Sequence, residues 1–154
     1  MHGSYGRFAA MIATSTAVML GLMYLNTYAL DHVFWSQTRF WMALVMGATM
    51  AMVMLAFMRH MYRNRTANAA IFIGAALVFA GSLYMVRSQA TVSDVSWMKA
   101  MIPHHSIAIL TSERARISDP RVRDLADGII ETQRREIAEM EALIAELEDG
   151  RATR

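Results

Sequence analysis

The chain has no cysteine. Disulfides and thiolate metal sites are therefore excluded, and any soft metal ligand has to be a methionine thioether. Fifteen methionines are available, and a thioether, unlike a thiol, is not consumed by disulfide formation. Acid is scarce over more than half of the length. Residues 1–90 hold six arginines and a single acid, Asp31, whereas residues 91–154 hold nine basic and twelve acidic residues. No basic stripe is interleaved with aromatics, which argues against a nucleic-acid partner. No Glu-x-x-His pair occurs: the positions three before His104 and His105 are Met101 and Ile102. Nor are there two histidines spaced around a glutamate as in zinc proteases, or a serine with a base arranged beside it. An enzyme is not expected, and no internal repeat is present.

What the sequence does have is apolar length. At 55% hydrophobic residues it is too apolar for an ordinary soluble domain of 154 residues. Three runs, about 8–30, 40–58 and 69–86, match a hydrocarbon core roughly 30 Å thick and are expected to be helices, because in lipid the backbone must satisfy itself. The first run is too long for a signal peptide and lacks a small-x-small cleavage site. Residues 1–90 thus read as a three-span anchor whose partner is the lipid bilayer.

Arg59, His60, Arg63 and Arg65 lie between spans two and three; Asp31, His32 and Arg39 lie between spans one and two. The positive-inside rule then puts the N-terminus in the cytoplasm and everything after Arg87 outside. The basic loop needs no role beyond topology and anionic headgroups. Phe34, Trp35, Phe40 and Trp41 fit an interfacial aromatic belt. Small residues at spacing four (Ala9, Ala13, Ala17, Gly21; Ala43, Gly47, Ala51) suit close helix packing. Met42, Met46, Met50, Met54 and Met58 also recur at spacing four and read as flexible apolar filler rather than a metal conduit. The lone histidines His2, His32 and His60 are assigned no role.

Residues 91–149 read as an extracytoplasmic hairpin, with residues 150–154 as a tail. Thr91 or Ser93 caps a helix running to about Ile117, and Asp94 favours its first turn. Pro103 is expected to kink that helix rather than start it. Ser118-Asp119-Pro120 stops one helix and starts the next. The second helix carries Val122, Ala126, Ile129, Ile130, Ile137, Met140, Ile144 and Leu147 on its apolar stripe and ends near Asp149, with Gly150 as its terminating glycine. A two-helix hairpin buries too little to be stable alone. A homodimer or higher homo-oligomer closing a four-helix bundle is expected.

The chemistry concentrates in Met98-Lys-Ala-Met101-Ile-Pro103-His104-His105. Met98, Met101 and His105 share a helix face, and His104 points about 100° away. Met140, with Glu136 one turn before it, lies on the second helix and can meet them if the register allows. Imidazole with thioether suits copper, Cu(I) above all.

Trp97-x3-Met101-Ile-Pro-His104-His105-x2-Ala108-Ile109, followed by Gln133-x2-Glu136-Ile137-x2-Met140, resembles a bacterial family of helical domains of unknown function, family 305, which has a ferritin-like fold and includes CopM-type copper-tolerance proteins. The resemblance covers about residues 92–148. It implies copper binding outside the cytoplasm with Met101, His104, His105 and Met140 as ligands, for sequestration, tolerance or handover to a copper-handling partner, here at the bacterial inner membrane. Two departures stand out: Thr111 occupies a position where the family commonly has methionine, and one hairpin is present where many members have two. The competing expectation is a non-enzymatic scaffold whose hairpin drives assembly.

Overall fold

A computed structural model describes residues 4–152, and these form five helices with no strand. His2, and the tail residues Thr153 and Arg154, lie outside the described residues. The helices are α1 (Tyr5–Leu22), α2 (Gln37–Phe57), α3 (Arg65–Ser88), α4 (Asp94–Arg114) and α5 (Pro120–Ala152), with a 3-10 turn at Leu30–His32. The chain divides into two compact units. Residues up to Met23 with Thr38–Thr91 form the first; Tyr24–Gln37 with the chain from Val92 onward form the second.

The first unit is apolar. Ser4 caps α1 by accepting from the Arg7 N–H, and Asn64 caps α3 by accepting from Ala67 N–H. Its core joins Phe8, Ala48, Ala51, Leu55, Tyr62 and Ala75. The expected small-residue face of α2 is buried at Ala43, Gly47 and Ala51. A Cβ added at Gly47 would collide with Thr16 Oγ1 of α1, so the two helices approach as closely as glycine permits. The matching row on α1 is exposed instead: Ala9, Ala13 and Ala17 line an open apolar groove of about 650 Å³ facing Ala43, Gly47 and Ala51 of α2 and Gly74 and Ala75 of α3.

Among the described residues two helices, α2 and α3, are long and apolar enough to cross a membrane, where three spans were expected. The first apolar run does not continue to Leu30, because α1 stops at Leu22 and leaves 18 helical residues that include Arg7 and the polar run Thr14-Ser15-Thr16. The stop has a cause beyond hydropathy: the Arg39 guanidinium donates to the Met23 carbonyl at 2.5 Å, satisfying an end-of-helix acceptor. The outer surface of α2 and α3 exposes large apolar side chains, among them Val53, Phe57, Ile73 and Leu77.

The second unit is an antiparallel hairpin with a strap across it. Ser93 caps α4 as expected. Pro103 lies inside α4 and is buried, so the helix does not begin there; it leaves the Lys99 carbonyl without the donor that residue 103 would otherwise supply. α4 ends at Arg114, where Ala115 turns extended, three residues before the expected stop. Asp119 starts α5: its carboxylate accepts from the Arg121 N–H at 2.9 Å, and Pro120 opens the helix. Gly150 does not end α5, which continues to Ala152. No glycine among the described residues takes positive φ; the left-handed position is Gln89 (φ 52°), which ends α3 just before the hairpin.

Val95, Met98, Ile102, Ile109, Ile137, Met140 and Ile144 form the hairpin core. Half of the expected α5 stripe is buried; Val122, Ile129 and Leu147 are exposed. The strap, residues 24–37, adds cover to this core. Phe34, expected at an interfacial belt, packs on this core. Ser106, fully buried, accepts from the Tyr28 N–H at 2.5 Å and bonds His32 Nδ1 at 2.9 Å.

Candidate metal centre

Two cross-helix ion pairs, Glu113–Arg134 and Lys99–Glu148, and the His105–Glu136 hydrogen bond fix the hairpin register. Moving back along α4 means moving forward along α5. One turn before His105 is Met101; one turn after Glu136 is Met140. The register therefore sets Met101 against the Met140 level of α5, with Met98 a further turn along. Met98 and Met140 are both buried in the hairpin core, and Met101 is half-buried against it. Of the cross-helix contacts that the sequence left conditional, His105–Glu136 is a direct hydrogen bond, and Met140 shares its core cluster with Met98.

His105 is the informative group. Its Nε2 lies 2.8 Å from Glu136 Oε2. A carboxylate only accepts, so Nε2 is the nitrogen that donates; in the neutral imidazole the lone pair then lies on Nδ1. Nδ1 is buried and has no hydrogen-bond partner among the described residues. Buried polar atoms are nearly always satisfied, and an exception calls for an explanation. A carboxylate holding one imidazole nitrogen while the other faces an ion is the usual arrangement around metal-bound histidine. The donor set on offer is one imidazole nitrogen with thioether sulfurs, which fits a soft cation.

His104 is placed differently. It is exposed, with its ring centroid 6.2 Å from that of His105 and the rings inclined at 61°. It is not among the buried thioethers. Glu136 reaches the site through His105 rather than directly. Among the described residues there is no group of three or more His, Cys, Asp or Glu side chains able to hold a metal, so a site here depends on methionine sulfur.

Sequence reasoning missed the strap. Ser106, the neighbour of His105, anchors Tyr28 and His32, and Arg134 lies over the Tyr28 ring at 5.8 Å from its centroid. The only available signal was a connecting segment richer in tyrosine than a plain loop requires, and its aromatics suited a membrane interface equally well.

The family model of a domain of unknown function, DUF305, matches residues 82–151. An uncharacterized protein of Acanthamoeba polyphaga mimivirus is 32% identical over 139 residues, spanning 88% of this chain and 89% of that one. The chain belongs to the DUF305 family. The viral relative matches more than the DUF305 hairpin: at this coverage the alignment takes in most of the apolar helices too. No solved structure matches this DUF305 chain.

Proposed function

We propose that this protein is a membrane-anchored, extracytoplasmic copper-binding protein that sequesters Cu(I) or hands it on, without catalysis. The observation that carries this reading is the buried, unpartnered Nδ1 of His105, held in orientation by Glu136 and in register with Met101 and Met140. His105 would supply nitrogen; Met98, Met101 and Met140 would supply sulfur; His104, at the surface, would serve entry or a second ion.

The anchor reading has its own support. α2 and α3 have the length and composition of spans, and α1 packs with them through Phe8, its exposed face carrying Met11, Val18 and Leu22. We take α1 as a third, short span. The strap preceding α2 and the hairpin following α3 belong to one compact unit, which requires both on the same side of a bilayer. The arginines of the α2–α3 loop assign the cytoplasm to the opposite side, at a bacterial inner membrane. A second copy would cover Val122, Leu125 and Ile129, exposed along α5, and complete a four-helix bundle. That same exposed row favours the second reading, an assembly scaffold in which the imidazoles only pack.

The test is a Cu(I) titration of the full chain in detergent, under reducing conditions, against a chromophoric chelator. Stoichiometric binding that His105→Ala abolishes is expected, with Glu136→Gln weakening it about 10- to 100-fold. Bound copper at 100 times its Kd should add about 2.7 kcal/mol of stability. Equal binding by wild type and His105→Ala overturns the proposal and leaves the scaffold.

A further inference from the structure

We infer that the end of the first unit formed by the α1 N-terminus and the α2–α3 loop is a headgroup-binding surface for anionic phospholipid. The inference rests on the membrane reading above and goes beyond the general attraction of a basic loop to anionic headgroups, because it assigns lipid selectivity to a pre-ordered surface.

The loop is not a loose tether. Tyr62 is buried between α1 residues, its ring 5.1 Å from Tyr5 and 5.4 Å from Phe8. Tyr5 Oη donates to Asn68 Oδ1 at 2.9 Å and accepts from the Asn64 N–H at 3.2 Å. Asn68 Nδ2 donates to the Tyr62 carbonyl at 2.8 Å. This frame fixes the two residues flanking Asn64, which are Arg63 and Arg65, beside the first turn of α1, which carries Arg7. Arg59 leads into the same loop. All four arginines are exposed, and none has an ion-pair partner among the described residues.

No internal partner is available, since residues 1–23 and 38–91 contain no Asp or Glu. The opposite end differs. Arg87 lies 22 residues further along α3, about 33 Å away at 1.5 Å per residue, and Arg39 is engaged with the Met23 carbonyl. Four uncompensated guanidiniums gather at one end of an apolar bundle, the end that the membrane reading brings to the lipid phosphates. Arginine matches phosphate with a planar fork of donors. The tyrosine frame pre-orders the backbone that carries them, so little further ordering is needed on binding.

The experiment is native mass spectrometry of the full chain in non-ionic detergent, with phosphatidylglycerol and phosphatidylcholine offered together. Retention of phosphatidylglycerol at least tenfold over phosphatidylcholine is expected. The Arg63→Gln/Arg65→Gln pair should reduce it by about fivefold per arginine, and Arg87→Gln should leave it unchanged. Should the double variant fail to fold, wild type carries the test: 0.5 M salt, used at about a 4 Å Debye length, should strip the preference. Equal retention of both lipids, equal loss with Arg87→Gln, or full displacement by inorganic phosphate at millimolar concentration overturns the inference. Alkaline carbonate extraction separates the failures. A chain released from membranes overturns the spanning reading as well; a chain that resists extraction but shows no lipid preference overturns this inference alone.

Discussion

The two units of this chain solve the same problem, holding helices together, with opposite chemistry. The first has no acid and no ion pair among its described residues; α1 and α2 touch where Gly47 admits Thr16, and its outer face is apolar. In the second, two cross-helix ion pairs and the His105–Glu136 hydrogen bond set the register while a core of Ile, Val and Met supplies the burial. A helix facing lipid gains nothing by moving apolar side chains inward, so close backbone approach matters more. A helix facing water gains from every buried methylene. One chain therefore carries two different sensitivities to substitution, and four changes probe the contrast.

The largest effect belongs to the watered unit. Ile102 is fully buried, and Ile102→Ala should cost about 2–5 kcal/mol by chemical denaturation of the detergent-solubilised chain. The same truncation at exposed Ile73 should change stability little; comparable losses at both sites would erase the contrast. In the apolar unit the sensitive change is addition. Gly47→Ala should cost about 1–3 kcal/mol by overpacking against Thr16, a stiff β-branched residue bonded to the Ile12 carbonyl at 2.8 Å. Thr16→Gly in the same chain should recover most of it, and strict additivity would refute the contact.

The strap comes third. Ser106→Ala removes the acceptor of the Tyr28 N–H and the partner of His32 and should cost about 1 kcal/mol. Amide hydrogen exchange should rise across residues 24–37 while α5 stays protected, and an unchanged strap would detach it from the hairpin.

The smallest effect is at the α5 start. The Arg121 guanidinium holds the Asp119 carboxyl below its ordinary value of 3.8. A lowered carboxylate pKa stabilises the fold at pH above the unfolded value, and the gain fades as pH falls through the folded value. Asp119→Asn, which keeps a capping oxygen, should thus lose a small increment at neutral pH and less as pH falls through the folded value, as read by melting temperature. A larger deficit in acid would reverse the sign.

How much of this was legible follows the range of each interaction. Ser93 before α4 and Asp119-Pro120 before α5 were readable because a cap and its helix are neighbours in sequence. That Met101 and His105 share a face followed from helical spacing, whereas the bond from His105 to Glu136 needed the register. The end of α1 was not readable: a hydropathy run does not reveal that Arg39, sixteen residues on, closes the helix at Met23. The strap was hidden for the same reason, since Ser106 lies 78 residues from Tyr28. Gly150 misled because a glycine at an exposed helix end can remain helical, while Gln89 took the left-handed position instead.

The central claim is that His105 Nδ1 and methionine sulfur face one soft ion. X-ray absorption at the copper K-edge on the Cu(I)-loaded full chain reads the ligands directly. One imidazole nitrogen with at least two thioether sulfurs is predicted, the sulfur signal falling when Met101 and Met140 are replaced by leucine. A shell of nitrogen and oxygen alone, unchanged by those replacements, would contradict it.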